Sequence, residues 1–549
     1  MIKKYSGIFI LFSFLLLAGI QSCVKQDKEN DTVKRPNILF ALSDNQSFPH
    51  AGAYGEKLYN TPAFDLVAET GILFQNAFVS SPGCAPSRSS ILLGRYLWQN
   101  EEAGGHQTLF PQKYIPFTDI LKESGYHVGY TGKGCAPFNW KQGGRKLDPA
   151  GREYNDIRYE GADLVKIPTD IVTDPESHVS NISTVDYTGN FRKFLSEKSD
   201  DEPFFFWYGS REPHTPFEKG SGVKSGKKFE DVIVPGFLPD NETIKIDLMD
   251  YAHEIEWFDS HLMEMIKVLE EIGELANTII IVTSDNGMQF PRSIGNCYEY
   301  GLHVPLAISW PDKIRKGRES QDLINLDDLA PTILEIAKAV NEGMLPMSAE
   351  SFTDILYSSE SGIINNSRDA VYAGRERHSS ARWMNLGYPQ RSIRTHEFLY
   401  IWNVYPERWP AGAPQVLNPK NPNELYYLHG LDENGKYTGE AYHDLDNGTS
   451  KTFFIENMNV PEVAPYFELA VGKRPMDELY NIKTDPYCLE NLASNGNYSD
   501  ELESLKNKLF AFLKETEDPR IVGPNPDIFE NYQRFYVTRP FPRPDWVKN

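Results

Sequence analysis

The stretch Thr278-Ile279-Ile280-Ile281-Val282-Thr283-Ser284-Asp285-Asn286 is an apolar run that stops on a carboxylate and an amide. About five apolar residues without polar alternation suit a parallel strand buried on both faces. Three other runs share this design. Asn37-Ile38-Leu39-Phe40-Ala41-Leu42 ends at Asp44-Asn45, and Tyr126-His127-Val128-Gly129-Tyr130 ends at Lys133. Phe204-Phe205-Phe206-Trp207-Tyr208 ends at Arg211-Glu212-Pro213-His214. Helical spacing lies between the runs, for example over 118–124 and 255–272. Strand and helix alternation predicts a large α/β sandwich around a mostly parallel central sheet. In such sheets ligands sit beyond the carboxyl ends of the strands, where all four polar clusters fall.

The texture changes after about Leu356. Residues 370–375, 390–403 and 478–480 read as strands of an antiparallel sheet, and 500–515 as a helix packed on it. The expected organisation is a catalytic domain over 36–360 and a smaller C-terminal α+β subdomain over 361–549. Residues 410–475 are rich in Pro, Asn and Gly and read as a long excursion. No internal repeat is evident.

The 549 residues are 40% hydrophobic and 24% charged, enough for a large core and incompatible with global disorder. The formal charge of −22 argues against a general nucleic-acid surface, which needs Lys and Arg to neutralise phosphates. Five Cys do not make a disulfide scaffold. At the N-terminus, Lys3 and Lys4 precede an apolar run over 8–20 that ends in Ile20-Gln21-Ser22-Cys23. This resembles a bacterial lipobox. It predicts a signal peptide over 1–22, a lipid anchor on Cys23, a polar tether over 23–35, and an exported outer-membrane lipoprotein facing the periplasm or the cell surface. The plainer alternative is an ordinary signal peptide with an incidental Cys.

Cys84-Ala85-Pro86-Ser87-Arg88-Ser89-Ser90-Ile91-Leu92-Leu93-Gly94-Arg95 resembles the type I sulfatase signature, Cys-x-Pro-Ser-Arg followed by Leu-x-Gly-Arg. Pro86 and Ser87 suit a helix first turn, and a helix N-terminus is an oxyanion site. The resemblance implies an alkaline-phosphatase-like fold and oxidation of Cys84 to formylglycine (3-oxoalanine) by a maturase partner. It implies a sulfated saccharide as substrate. Asp44-Asn45 and Asp285-Asn286 look like the two family metal motifs. With Cys84 they imply one Ca²⁺, whose preference for hard oxygen ligands they meet. Lys133 matches the lysine that supports the formylglycine with Arg88, and His214 the histidine that contacts sulfate and the leaving atom. Glu212, Arg292, His378 and Arg391 complete the expected substrate contacts. Within the family the likeness runs to the N-sulfoglucosamine sulfohydrolases, which break down heparan sulfate, through Ser284-Asp285-Asn286-Gly287, Tyr388-Pro389-Gln390-Arg391-Ser392 and Glu515-Thr516-Glu517-Asp518-Pro519.

The chain departs from the pattern at three positions. Asn45 stands where the family usually has Asp, Cys135 where it has a histidine after Gly-Lys, and Ile294 where a basic residue binds sulfate. The alternatives are an O-sulfatase on a host or algal glycan, a phosphomonoesterase or phosphonate hydrolase on the same scaffold, and a glycan-binding lipoprotein with a decayed site. The phosphatase reading lacks its usual Thr or Ser nucleophile and second metal site. Cys135 and Cys297 both follow strand ends, and export permits disulfides. They are expected either to bridge over the pocket or to remain two unrelated buried thiols.

Overall fold

The four apolar runs are adjacent strands whose carboxyl ends lie level. In the structure, a computed structural model that describes residues 34–159, 182–535 and 537–547, the strands in chain order are β1 (Asn37–Ser43), β2 (Ile72–Phe78), β3 (His127–Gly132), β4 (Arg152–Glu153), β5 (Phe204–Gly209), β6 (Thr278–Ser284), β7 (His303–Ser309), β8 (Arg318–Ser320) and β9 (Ile324–Asn325). They form one sheet in the order β4-β3-β5-β1-β6-β7-β2-β8, with β9 also on β2. All pairings are parallel except those of β7 with β6 and β2. Leu42 of β1 lies opposite Gly209 of β5, Ser43 opposite Ser284 of β6, and Gly132 of β3 opposite Gly209. The residues that follow therefore meet along one edge.

Both faces of the sheet are covered, which is why its strands carry no polar alternation. Ile38, Phe40 and Leu42 of β1 and Ile279 and Ile281 of β6 pack in one apolar cluster with Ile91, Leu92, Phe117 and Ile120. Leu39 and Ala41, with Ile280 and Val282, pack in the opposite cluster with Phe64, Phe191, Phe258 and Leu262. The helices that cover the sheet include α1 (Pro62–Thr70), α2 (Cys84–Leu93), α3 (Phe117–Glu123), α4 (Tyr187–Glu197) and the long helix Glu242–Glu271.

The second sheet is antiparallel: β10 (Val371–Arg375), β11 (Gln390–Arg394), β12 (Phe398–Asn403) and, after a small hairpin of β13 (Leu417–Asn418) and β14 (Asn421–Leu425), β15 (Asp477–Asn481). The stretch 390–403 folds back on itself at Thr395, whose hydroxyl accepts from the Phe398 amide at 3.1 Å. The helix Ser499–Glu515 buries Leu505, Leu509 and Leu513, and Phe512 stacks on Tyr372 of β10 with centroids 3.6 Å apart. An i, i+4 repeat of Leu is what such a stripe requires. Residues Arg35–Asn549 form one compact unit. The leader, Cys23 and the tether to residue 33 lie outside the described residues. Among those described, no helix is long and apolar enough to cross a membrane.

Candidate active site

Cys84 is the first residue of α2, immediately beyond the extended Gly83. Every residue of α2 is buried, so its first turn delivers free backbone N–H groups and the Cys84 side chain to one enclosed point. A Cβ on Gly83 would lie 3.4 Å from His378 Nδ1, so the glycine also admits that imidazole.

The strand ends bring acid to the same point. Cys84 Sγ and carboxylate oxygens of Asp44 and Asp285 lie within 4.8 Å of one another. Two cations frame them. Arg88, one turn along α2, donates Nε to Asp285 at 2.7 Å and Nη1 to the carbonyls of Lys133 and Gly134 at 2.7 and 3.0 Å. Lys133 Nζ is 2.5 Å from Asp44 Oδ2. Burial alone would raise both carboxyls. Lys133, His214 and Arg88 nevertheless hold Asp44 below its ordinary range, whereas burial and the Asp44 charge keep Asp285 raised. Burial also pushes the Cys84 thiol up to about 11, so it stays protonated near neutrality.

Asn45 has φ 78, in the left-handed region that Asn tolerates. This turn lets its backbone N–H reach Asp285 Oδ1 at 3.1 Å. Its side-chain oxygen accepts from Asn286 Nδ2 at 2.7 Å, and its amide donates to Gln289 at 2.6 Å. Asp44 Oδ1 and Asn286 Oδ1 are buried acceptors with no hydrogen-bond partner among the described residues. Two such orphans beside two carboxylates fit a hard divalent cation, held by Asp44, Asp285 and Asn286.

The sequence reading missed the side chain nearest the nucleophile position. His106 Nε2 lies 3.3 Å from Cys84 Sγ. Burial keeps this imidazole neutral, and its Nδ1 has no partner among the described residues. His106 stacks on His378, whose Nε2 is 3.9 Å from Asp446 Oδ1. Despite burial, His378 and the other histidines hold Asp446 down at about 2. His378 is thus placed beside the imidazole that contacts Cys84. Cys135 does not share that contact. Its N–H bonds Asp148 Oδ1 at 2.9 Å and its thiol is buried.

His214 and Glu212 follow β5 into a cavity of about 780 Å³ lined also by Asp44, Lys133, Trp140, Arg158 and Arg211. This volume suits a sugar-sized ligand. His214 is exposed at this cavity, its Nδ1 2.7 Å from the Thr215 carbonyl. Glu212 has a different task. Its carboxylate accepts from Ser183 N at 2.7 Å, Tyr187 Oη at 2.9 Å and Ser210 Oγ at 2.5 Å, which ties down the loop that carries His214.

Two more of the expected substrate contacts need correction. Arg292 does not face the pocket. Its guanidinium lies over the Tyr298 ring, 4.1 Å from the centroid, and donates to the carbonyls of Leu469 and Cys488. Arg391 is fully buried and spent on carboxylates, with Nε 2.6 Å from Asp518 and Nη2 2.6 Å from Glu376. Both guanidinium groups are buried, and neither lines the cavity that His214 and Glu212 enter. Of the two outcomes expected for Cys135 and Cys297, the structure has the unbridged one: among the described residues both are free, buried thiols, and Cys297 lies against Ser392 of the antiparallel sheet.

Residues 36–339, more than half of the chain, match the family model described as Sulfatase. The chain belongs to the sulfatase family. This sulfatase is 27% identical over 542 residues to an ulvan-active sulfatase of Formosa agariphila, covering 94% of this chain and 90% of that one. It is 26% identical over 518 residues to the human N-sulphoglucosamine sulphohydrolase, covering 89% and 92%. Its fold matches that of a protein solved with its substrate D-glucosamine-2-N,6-O-disulfate, at a TM-score of 0.59 and 19% identity over 90% of this chain and 99% of that one. The chain is accordingly a hydrolase of sulfate esters or sulfamates.

Proposed function

We propose that this sulfatase removes sulfate from sulfated saccharides through Cys84 oxidised to formylglycine. The observation that carries the reading is the convergence of Cys84, Asp44 and Asp285 within 4.8 Å at the first turn of α2, beside Arg88 and Lys133. The hydrated aldehyde supplies a hydroxyl nucleophile and a second hydroxyl that lets the sulfo-enzyme collapse. A Ca²⁺ held by Asp44, Asp285 and Asn286 would polarise the sulfate oxygens. The remaining work falls to this chain's own groups. The α2 N–H groups and Lys133 draw the sulfate anion to the nucleophile position. His106 Nε2, neutral and in reach of that position, takes and returns the hydroxyl proton. His214, exposed in the cavity, protonates the leaving nitrogen or oxygen.

N-sulfated glucosamine is the substrate supported first, by the full-length likeness to the human sulphohydrolase. An O-sulfated algal glycan is the second, because a relative of equal similarity is ulvan-active. In this reading a maturase oxidises Cys84, and export ends with a lipid on Cys23. Mass spectrometry of the Cys84 peptide, with sulfate release from defined heparan, chondroitin, galactose and ulvan sulfates, tests it. Cys84→Ala is expected to remove turnover while the unfolding temperature holds. Near-normal sulfate release by that variant would refute the mechanism.

A further inference from the structure

A second cavity, of about 400 Å³, shares no lining residue with the first. Its wall carries three indoles, Trp383, Trp409 and Trp546, and four cations, Arg382, Arg408, Lys473 and Arg543, against one carboxylate, Asp545. In a chain of charge −22 this is a local reversal of sign. Arg382 is part of the frame. It donates to the carbonyls of Trp409 and Pro410 and to Asp444 at 2.6–2.8 Å. Arg408 is also part of the frame, paired with Glu530 at 2.6 Å and donating to the Gly387 carbonyl at 3.0 Å. Lys473 is exposed, its Nζ 5.1 Å from the Trp409 centroid, and makes no ion pair among the described residues. The Arg408 guanidinium lies near the Tyr405 and Trp546 rings, 4.0 and 5.9 Å from their centroids.

We propose that this cavity is a distal subsite for an anionic saccharide, so that the enzyme grips a chain at a second point besides the residue it desulfates. Indole faces pack against the apolar faces of pyranose rings, while the exposed Lys473 ammonium pairs with sulfate or carboxylate. The proposal rests on the reading of the substrate as a sulfated saccharide. An ionic frame runs from this second cavity to His378, which stacks on the His106 that contacts Cys84. Asp444 takes Arg382 on one side and Arg375 on the other, and accepts from the N–H of Ser379, the residue after His378. Two residues on, Asp446 faces His378 itself. The spacing between the sites is therefore fixed, and a saccharide long enough to span it gains by linkage, a gain that reaches about 10²–10⁴-fold in affinity.

The test uses the full chain carrying Cys84→Ala. Glucosamine-2-N,6-O-disulfate and heparin oligosaccharides of increasing length are titrated by calorimetry and by tryptophan emission. Affinity is expected to rise at least tenfold once the chain spans both cavities. Lys473→Glu, at an exposed position, and Trp383→Ala should each remove that gain, with little change for the monosaccharide. Equal affinity for short and long saccharides overturns the subsite, as does a full length-dependent gain in both variants. A length-dependent, Lys473-dependent gain without sulfate release by the Cys84 enzyme would keep the subsite and refute the proposed function.

Discussion

Replacing Arg391 by Met tests whether this guanidinium holds the fold or the substrate. The side chain is wholly buried, as is Asp518. It makes three charge-assisted bonds: Nε to Asp518 Oδ2 at 2.6 Å, Nη2 to Asp518 Oδ1 at 3.2 Å and Nη2 to Glu376 at 2.6 Å. It also lies 5.1 Å from the Trp98 ring centroid. After substitution Glu376 keeps Arg520 at 2.5 Å, so its charge remains compensated. Asp518 keeps only backbone help, from Arg520 N at 3.0 Å, and becomes a buried carboxylate without a cation. Removing one partner of a buried pair costs about 3–5 kcal/mol, and the orphaned Asp518 puts this case within that range. Urea unfolding should show the loss as a lower midpoint at unchanged slope. Arg391→Met with Asp518→Asn should recover part of it, because the buried charge is then gone. Sulfate release below the transition should follow the folded fraction alone. A variant as stable as the parent, with KM raised for every substrate, would return Arg391 to the binding site and refute the reasoning.

Three further outcomes follow from the site. Chelation with EDTA should abolish sulfate release and lower the unfolding temperature, and Ca²⁺ at 100 times its dissociation constant should restore about 2.7 kcal/mol; a chelated enzyme of full stability and activity would contradict the metal assignment. His106→Ala should lower kcat by roughly 10²–10⁴-fold with KM nearly constant, as for loss of a general base; a rise in KM alone would make His106 a binding group. Burial favours a raised carboxyl at Glu299, but Arg394 and His303 hold it at about 2 against a usual 4.5. A depressed carboxyl stabilises the fold fully above the unfolded value. That contribution, at most about 3 kcal/mol, is lost as pH falls from about 4.5 toward 2. Glu299→Gln should flatten the acid limb of a stability–pH curve in that window, and an unchanged limb would exclude the pair.

The central sheet was readable because doubly covered strands must be continuously apolar, and because chain polarity sends the residue after each strand to one edge. Asp44, Lys133, His214 and Asp285 were legible on that ground, and Cys84 on its signature. His106 and Asp446 were not. His106 lies in a loop between Gly105 and Gln107 with no periodic pattern around it, and Asp446 in the excursion over 410–475, whose composition describes only turns. What brings them to Cys84 is packing between distant segments: the stacking of His106 on His378, and the ionic frame through Asp444 that fixes both.

The buried arginines fail for the complementary reason. A guanidinium six residues after a metal motif, or beside a conspicuous Tyr-Pro, reads the same in sequence whether it awaits a sulfate or already holds a carboxylate. The partner of Arg391 lies 127 residues away, and the carbonyls that take Arg292 lie 177 and 196 away. The same logic bears on the histidine replaced by Cys135. What the chemistry requires is an imidazole near the nucleophile, not an imidazole at one sequence position. Cys135 N–H is turned to Asp148, and the space beside Cys84 Sγ is filled from another loop by His106. Under the proposed mechanism the departure at Cys135 is a relocated function rather than a lost one, and turnover by the His106→Ala and Cys135→His variants separates the two: a relocated function predicts that the first loses turnover and the second gains none.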